Sequence, residues 1–144
     1  MVRKARREDL PALLRLYAQL HPGAPAQEPG DCAALWETVR TFPGCSVLVA
    51  EDGGEPVSTC TVTVIPNLTH GGRPYALVEN AVTDAAYRGR GLASACLREA
   101  EALARAAGCY KIMLMTGSRE ERTLRFYERA GYNRVDKTGF VRWL

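Results

Sequence analysis

Apolar residues recur every three or four positions in two stretches of the first third of the chain, which is the spacing of an amphipathic helix. The apolar positions are Leu10, Leu13, Leu14, Tyr17 and Leu20 in the first stretch, and Leu35, Trp36, Val39 and Phe42 in the second. Pro11 is tolerated in the first turn of the first helix, and Asp31 is placed to cap the second. The prolines and glycines of residues 21–30 predict a loop between the two helices.

β-Branched and alternating runs predict the strands. A short first strand is expected at residues 2–5. Two runs within residues 45–65 flank the sequence Asp52-Gly53-Gly54, and this arrangement is typical of a hairpin. The strands predicted further along the chain are at residues 74–83, 110–116, 132–136 and 139–144.

Two more helices are predicted in the second half. Residues 90–107 have the spacing of a long helix that stops at Gly108. Its inward positions are Leu92, Cys96, Ala100, Leu103 and Ala107. Ser118 and Glu121 resemble a capping box that opens the last helix, which closes at Gly131.

These elements predict a single domain over residues 1–144 with an α/β fold, in which one sheet has helices on its faces. The chain is 47% hydrophobic and 24% charged, which is typical of a globular protein. A net charge of +3 is too small to indicate a nucleic-acid partner, and no apolar run is long enough to predict a membrane span. The basic N-terminus lacks the apolar region of a signal peptide. Five cysteines without a CxxC pair favour reduced thiols in the cytoplasm over disulfides or a zinc site.

The sequence places two arginines and two glycines where the long helix begins. The first amides of a helix have no partner within it and lie at its positive end, so they attract anions. Gly89 and Gly91 would let a phosphate approach these amides, while Arg88 and Arg90 add charge beside it. A phosphorylated cofactor is the favoured interpretation, and a turn that needs glycine only for its geometry is the alternative. A P-loop would need Gly-Lys-Ser/Thr, and Ser94 stands where a dinucleotide-binding turn has its third glycine.

The sequence Arg-Gly-Arg-Gly-Leu-Ala that starts at Arg88 matches the Arg/Gln-x-x-Gly-x-Gly/Ala signature of the GCN5-related N-acetyltransferases (GNAT). With "LVENAVT" before it and "RFYERAGY" after a later strand, the whole chain resembles this family. The last motif is similar to that of glucosamine-phosphate and aminoalkylphosphonate acetyltransferases. The resemblance implies a mixed, mostly antiparallel sheet and acetyl-CoA as the cofactor. The residues that it implies hold the cofactor are Ala81, Val82, Thr83, Arg88, Gly89, Arg90, Gly91, Leu92, Ala93, Ser94 and Tyr127.

The resemblance also implies a catalytic pair. Glu79 stands on the strand before the turn, where several family members carry a general base, and partial burial among apolar residues would activate it. Tyr127 matches the tyrosine that in many relatives protonates the departing thiolate. As structural alternatives, Tyr127 is a core aromatic residue and Glu79 an outward residue of its strand. The predicted members of that outward face are Tyr75, Leu77, Glu79 and Ala81.

The mechanism implied is direct attack of a primary amine on acetyl-CoA in a ternary complex, since no cysteine occupies a motif position. The favoured acceptor is a small amino compound, with phosphorylated ones included. A protein lysine or N-terminus is the rival acceptor, and an acyl-CoA-binding module without turnover is the rival function. Many relatives carry an Asn near the start of the last helix, where this chain has Glu120 and Thr123. A homodimer is expected, because relatives are commonly dimers and residues 139–144 predict an apolar edge strand.

Overall fold

The computed structural model describes residues 1–144 as five strands, four α-helices and three short 3₁₀ turns. The strands are β1 (Val2–Lys4), β2 (Cys45–Asp52), β3 (Glu55–Ile65), β4 (Tyr75–Thr83) and β5 (Ile112–Leu114). The helices are α1 (Leu10–Leu20), α2 (Ala33–Thr41), α3 (Leu92–Ala106) and α4 (Glu121–Arg129). The 3₁₀ turns are Arg7–Asp9, His70–Gly72 and Ala85–Tyr87. None of the helices combines the length and the apolar character needed to cross a membrane.

The five strands form one sheet in which their spatial order is the same as their order in the chain. β1 to β4 pair in antiparallel fashion, and β5 pairs with β4 in parallel. Helix α3 is the crossover between these last two strands, as a parallel connection requires. The predicted α/β fold with a mixed, mostly antiparallel sheet is therefore confirmed.

Apolar clusters pack on both faces of the sheet, and strand β2 contributes to each. Its residues Leu48 and Ala50 face α3, whereas Val47 and Val49 face α1 and α2. The cluster on the α3 face is completed by Cys60, Val62, Ala76, Val78, Cys96, Leu97, Ala100 and Ala104. The cluster on the other face is completed by Leu10, Leu13, Cys32 and Trp36. The central strands are apolar on both sides because helices cover both faces.

A β-bulge interrupts strand β4. Thr61 of β3 pairs with Glu79, but Thr59 pairs with Val82, so two residues of β4 lie opposite one residue of β3. One of the two, Asn80, has a left-handed φ of 54°. The extra residue shifts the alternation by one position. Ala81 therefore packs on the α3 face, as Ala76 and Val78 do before the bulge. The prediction that Glu79 and Ala81 share a face is therefore wrong, because strict alternation does not survive a bulge.

Helix α3 begins two residues later than predicted, at Leu92. Gly89 and Gly91 both have a φ of 77°, a left-handed conformation that the helix cannot include. The predicted inward residues pack on the core except Ala107, which lies past the end of the helix and is exposed.

Two predicted helix caps are absent. Helix α2 starts after Cys32 rather than at Asp31, and no side chain caps it. Leu35, in this helix, and Phe42, just after it, were expected to face the core, but each is 58% exposed. Ser118 accepts a hydrogen bond from the Glu120 amide at 3.3 Å and thus makes a local turn before α4. Ser and Thr side chains readily form such turns in place of a cap.

The two predicted terminal strands are also absent, and the strand at residues 110–116 is reduced to β5. The Asn133 side chain accepts hydrogen bonds from the amides of Val135 and Asp136, which makes a turn where a strand was expected. Arg134 then pairs with Glu128 of α4 at 2.8 Å. Local polar contacts therefore hold this segment against the helix, and residues 137–144 continue without regular structure.

Candidate functional site: a glycine-rich turn beside an apolar pocket

The turn between β4 and α3 leaves several backbone amides free. The first α-helical bond of α3 runs from the Ala95 amide to the Gly91 carbonyl, at 3.0 Å. The amides of residues 92–94 thus have no acceptor within the helix. A Cβ built at Gly89 or Gly91 meets no atom within 4 Å, so nothing in the protein fills the space beside the turn. The space beside Gly89 and Gly91 is therefore open.

Both arginines of the turn are held by neighbouring elements. The Arg88 side chain donates to the Thr83 carbonyl at 3.3 Å. Arg90 donates to both carboxylate oxygens of Asp52, in the β2–β3 hairpin, at 3.2 and 3.4 Å, and lies over the Tyr87 ring. Both guanidinium groups thus lie beside the turn, and the charge of Arg90 is paired with that of Asp52.

The 3₁₀ turn that leads into the glycines is fixed to helix α1. The Asp84 carboxylate accepts from the Ala86 amide at 2.9 Å and from the Gln19 side chain at 2.9 Å. The side-chain oxygen of Gln19 in turn accepts a hydrogen bond from the Ala85 amide at 3.0 Å. The backbone ahead of the turn is therefore set before any ligand arrives.

A small, mostly apolar pocket of about 60 Å³ adjoins the turn between β3, β4, α3 and α4. Five of its lining residues are among those predicted to bind the cofactor, namely Ala81, Val82, Thr83, Ala93 and Tyr127. Four others were not predicted, namely Thr59, Cys60, Leu97 and Phe126. Thr59 and Cys60 belong to β3, Leu97 to α3 and Phe126 to α4. These elements are far apart in the sequence, so only the folded structure shows that the four residues meet. The bulge in β4 lies beside this pocket, and the strand pattern of the sequence does not reveal it.

Tyr127 is half-buried on α4 and lines this pocket. Its ring packs edge-on against Phe126, with centroids 5.0 Å apart, and against Tyr132, with centroids 6.3 Å apart. Burial raises the pKa of the Tyr127 phenol above its usual value, so the hydroxyl is protonated at neutral pH. Burial also raises the pKa of Tyr132 to about 12, and the Tyr132 hydroxyl has no hydrogen-bond partner. Both phenol groups therefore keep their protons at neutral pH.

Glu79 lies on the opposite face of the sheet. Its neighbour Val78 is buried in the cluster under α3, so alternation directs Glu79 toward the α1 side, opposite Thr61. The residue is exposed. The partial burial expected for it is therefore absent. The structure does not bring Glu79 into the pocket that Tyr127 lines.

Cys60 places a thiol in the pocket, although it was not expected to take part in the site. Its side chain is 1% exposed. Contact with the Cys96 thiol and burial together raise the pKa of Cys60, so it remains a neutral thiol. A thiol without thiolate character is a poor nucleophile. Cys60 thus contributes an apolar surface to the pocket.

The mixed, mostly antiparallel sheet and the basic, glycine-rich helix start are the features by which the sequence resembles the GNAT acetyltransferases. The model of the acetyltransferase (GNAT) family matches residues 10–132, and the chain belongs to this family. Helix α3, strand β5 and Tyr127 all fall within the matched residues.

Relatives of known name are similar over part of the chain. The glucosamine 6-phosphate N-acetyltransferase of Trypanosoma brucei brucei is 35% identical over 79 residues, which cover 55% of this chain and 52% of that enzyme. Glucosamine 6-phosphate N-acetyltransferase 1 of Oryza sativa subsp. japonica is 35% identical over 103 residues, covering 70% and 62%. The chain thus spans about half the length of the relatives it matches.

A solved structure from Agrobacterium tumefaciens str. C58, provisionally named an acetyltransferase, is 40% identical with a TM-score of 0.96. It covers 100% of this chain, which in turn covers 99% of it. The fold described here is therefore the fold of that protein over its whole length.

Proposed function

We propose that residues 1–144 form one N-acetyltransferase domain that transfers the acetyl group of acetyl-CoA to a primary amine. The acceptor is a small amino compound, and phosphorylated amino compounds are its leading class. The observation that carries the proposal is that the open glycine turn and the Tyr127 pocket adjoin each other. A cofactor with a diphosphate at one end and a thioester at the other would engage both at once.

The turn would bind the diphosphate of coenzyme A. The free amides of Leu92, Ala93 and Ser94 would donate to its oxygens, and the guanidinium groups of Arg88 and Arg90 would flank it. The glycines keep side-chain atoms away from the approaching phosphates. From there the pantetheine arm would follow Ala81, Val82 and Thr83 toward the pocket and pair with the backbone of β4 as an added strand does.

The bulge supports a role for β4 in polarising the thioester. Two residues of β4 face one residue of β3, which leaves a main-chain group outside the regular ladder. An amide of Ala81 or Val82 would then donate to the carbonyl oxygen as it gains negative charge. Such donors are most effective where water is excluded, as in the partly enclosed pocket beside them.

In the chemical step, the amine nitrogen would attack the thioester carbon and the carbon–sulfur bond would break. Tyr127 would donate its hydroxyl proton to the leaving thiolate, since its raised pKa keeps that proton in place. Glu79 would take the proton that the amine loses. Because Glu79 is exposed and lies away from the pocket, relay through a water molecule is the form of base catalysis that its position supports. Cys60 is a neutral thiol, which favours direct transfer over an acetyl-enzyme.

The activity is tested by measuring thiol release from acetyl-CoA in the presence of candidate amines. Glucosamine 6-phosphate and aminoalkylphosphonates are expected to give turnover above that of unphosphorylated amines. Turnover on peptide lysines or N-termini alone would identify a protein acetyltransferase instead. Tight acetyl-CoA binding without thiol release for any amine would support the acyl-CoA-binding module.

We also propose that the protein is a homodimer in the cytoplasm. All five cysteines are free thiols, which suits a reducing compartment. Most of the exposed large apolar side chains belong to residues 113–144, and β5 is an edge strand of the sheet. They are Met113, Met115, Val135, Phe140, Val141, Trp143 and Leu144. A second copy would cover this surface through a two-fold axis, which satisfies both subunits at once.

Light scattering at micromolar concentration tests the dimer and should give twice the chain mass of 15.8 kDa. A variant that ends at residue 138 should be monomeric. A full-length chain that is monomeric at this concentration would exclude the dimer.

A further inference from the structure

The two arginines of the glycine-rich turn have different partners. The terminal nitrogens of Arg90 donate to the Asp52 carboxylate at 3.2 and 3.4 Å, whereas charge-assisted hydrogen bonds are usually about 2.7–2.9 Å long. Arg88 donates instead to the neutral Thr83 carbonyl. An anion that binds at the turn therefore competes with a carboxylate for Arg90 and with a neutral carbonyl for Arg88.

The pair between Arg90 and Asp52 is weak in comparison with the pair at the start of the chain. Arg3 donates to both oxygens of Asp9 at 2.6 and 2.9 Å, and these side chains are 20% and 8% exposed. The side chains of Arg90 and Asp52 are 51% and 43% exposed. Because exposed ion pairs contribute little free energy, a more highly charged anion can displace this one.

Asp52 approaches the turn from the sheet. It is the last residue of β2 and precedes the two glycines of the hairpin tip. The Asp84 carboxylate also lies next to the turn, but it accepts a hydrogen bond from the Ala86 amide and so fixes the backbone. The hydrogen bonds of the Asp52 carboxylate all come from Arg90. Its side chain therefore acts on the turn through that guanidinium group.

We propose that Asp52 is a positioning residue that pairs with Arg90 in the unliganded protein and releases it when the diphosphate binds. The proposal rests on the proposed function, since it takes the turn as the diphosphate site. A diphosphate has more charge than one carboxylate and also binds the free amides, so it displaces Asp52. Because the ion pair must first break, Asp52 weakens the binding of acetyl-CoA and CoA alike and favours release of CoA as the product.

The test compares Asp52→Asn with the wild-type protein by calorimetric titration of CoA and of acetyl-CoA. The substitution preserves the size of the side chain and removes its charge. Both ligands should then bind about 5-fold more tightly at low salt, the upper end of the scale of an exposed ion pair. The gain should shrink as the salt concentration rises, because salt screens the pair. The melting temperature should change little, which separates this effect from a change in folding.

Glu55→Gln is the matched control. Glu55 lies in the same hairpin, is 61% exposed and pairs with Arg15 of α1, so its substitution removes one charge without releasing Arg90. Its affinity for CoA should stay within about 2-fold of the wild-type value. A second comparison uses Arg90→Gln as the background. Since Asp52 acts through Arg90, adding Asp52→Asn to that variant should not increase the affinity further.

Three results would overturn the proposal: CoA binding by Asp52→Asn that is unchanged or weaker, an equal gain in Glu55→Gln, or a gain that persists in the Arg90→Gln background. The last two would indicate a general effect of charge near the turn. Each of the three leaves the proposed function standing. Failure of the wild-type protein to bind CoA in any form would overturn both.

Discussion

The two ends of the sheet differ in how much of their side-chain surface is buried. At the N-terminal end, β2 and β3 are buried over most of their length, and α1 packs Leu10, Leu13 and Leu16 inward. At the C-terminal end, β5 has three residues, α4 has no buried residue, and the last residues are exposed. The N-terminal end is stabilised by its buried apolar residues. The C-terminal end carries Tyr127, and more of its side-chain surface is exposed.

Polar contacts reinforce the same difference. Arg3 of β1 donates to both oxygens of Asp9, at 2.6 and 2.9 Å, and to Glu51 of β2 at 2.8 Å. This cluster joins the first strand, the start of α1 and the hairpin. In the C-terminal region the ion pairs of Glu121 are exposed, and exposed pairs stabilise little. Changes in the N-terminal region should therefore alter stability, whereas changes around the turn and α4 should alter binding and turnover.

The largest effect is expected from Gly91→Val. A side chain at this position would block phosphate from the free amides, and loss of two charge-assisted hydrogen bonds lowers acetyl-CoA affinity by about 100-fold. Gly108→Val is the control, because Gly108 has a φ of 76° against 77° for Gly91 and similarly open surroundings. Both variants should lose similar stability through backbone strain. Calorimetry in which the two variants bind acetyl-CoA equally well would remove the turn from the site.

Tyr127→Phe is expected to lower kcat by about 100-fold while acetyl-CoA affinity stays nearly constant, because only the proton donor is lost. The raised pKa of Tyr127 keeps the wild-type phenol protonated through neutral pH, and the rate should fall as the pH rises through that value. The variant should lack this alkaline limb. Tyr132→Phe removes a buried hydroxyl without a partner and should preserve kcat and stability. A Tyr127→Phe protein with full turnover would refute the role as acid.

Glu79→Gln should remove the acidic limb of the pH–rate profile, because the amine would then lose its proton unaided. The melting temperature should not change, since Glu79 is exposed. Glu120→Gln, near the start of α4, serves as the comparison for removing one exposed carboxylate. Identical pH profiles for the Glu79 variant and the wild-type protein would show that the base is another group.

Asp9→Asn should lower the free energy of unfolding by about 1–3 kcal/mol and leave turnover per folded molecule unchanged. Hydrogen bonding with Arg3 holds the pKa of the Asp9 carboxyl below its usual range. Its contribution is therefore complete above the unfolded pKa, about 4, and is lost as the pH falls through the folded value. Denaturation at pH 7 and at pH 3 tests this, since the difference between the proteins should shrink at the lower pH.

The sequence was sufficient for features that depend on neighbouring residues. The glycines of the turn, the apolar spacing of α1 and α3 and the β2–β3 hairpin all follow from local geometry, and the structure has them. The bulge at Asn80 could not be predicted, because the apolar pattern of β4 reads equally well as an unbroken strand. The exposure of Glu79 could not be predicted either, because the strand pattern does not show which side chains the helices cover.

Other features depend on contacts between distant residues. The terminal strands fail because Asn133 turns the chain and Arg134 pairs with α4, and neither contact is visible in an alternating apolar pattern. Cys60 and Leu97 are 37 residues apart in sequence and meet only when α3 crosses the sheet. The candidate cofactor-binding residues could thus be proposed from a motif, whereas the further residues that line the pocket could not.

The parallel ladder between β4 and β5 joins only three residue pairs, from Ala76 with Ile112 to Val78 with Leu114. In terms of hydrogen exchange, so short a ladder opens as a local unit at a free energy well below that of global unfolding. Amides of β5 and α4 would exchange while those of β2 and β3 stay protected. If the proposed cofactor contacts both β4 and Tyr127 of α4, its binding should slow exchange in α4, and the slowing should increase with its affinity and concentration.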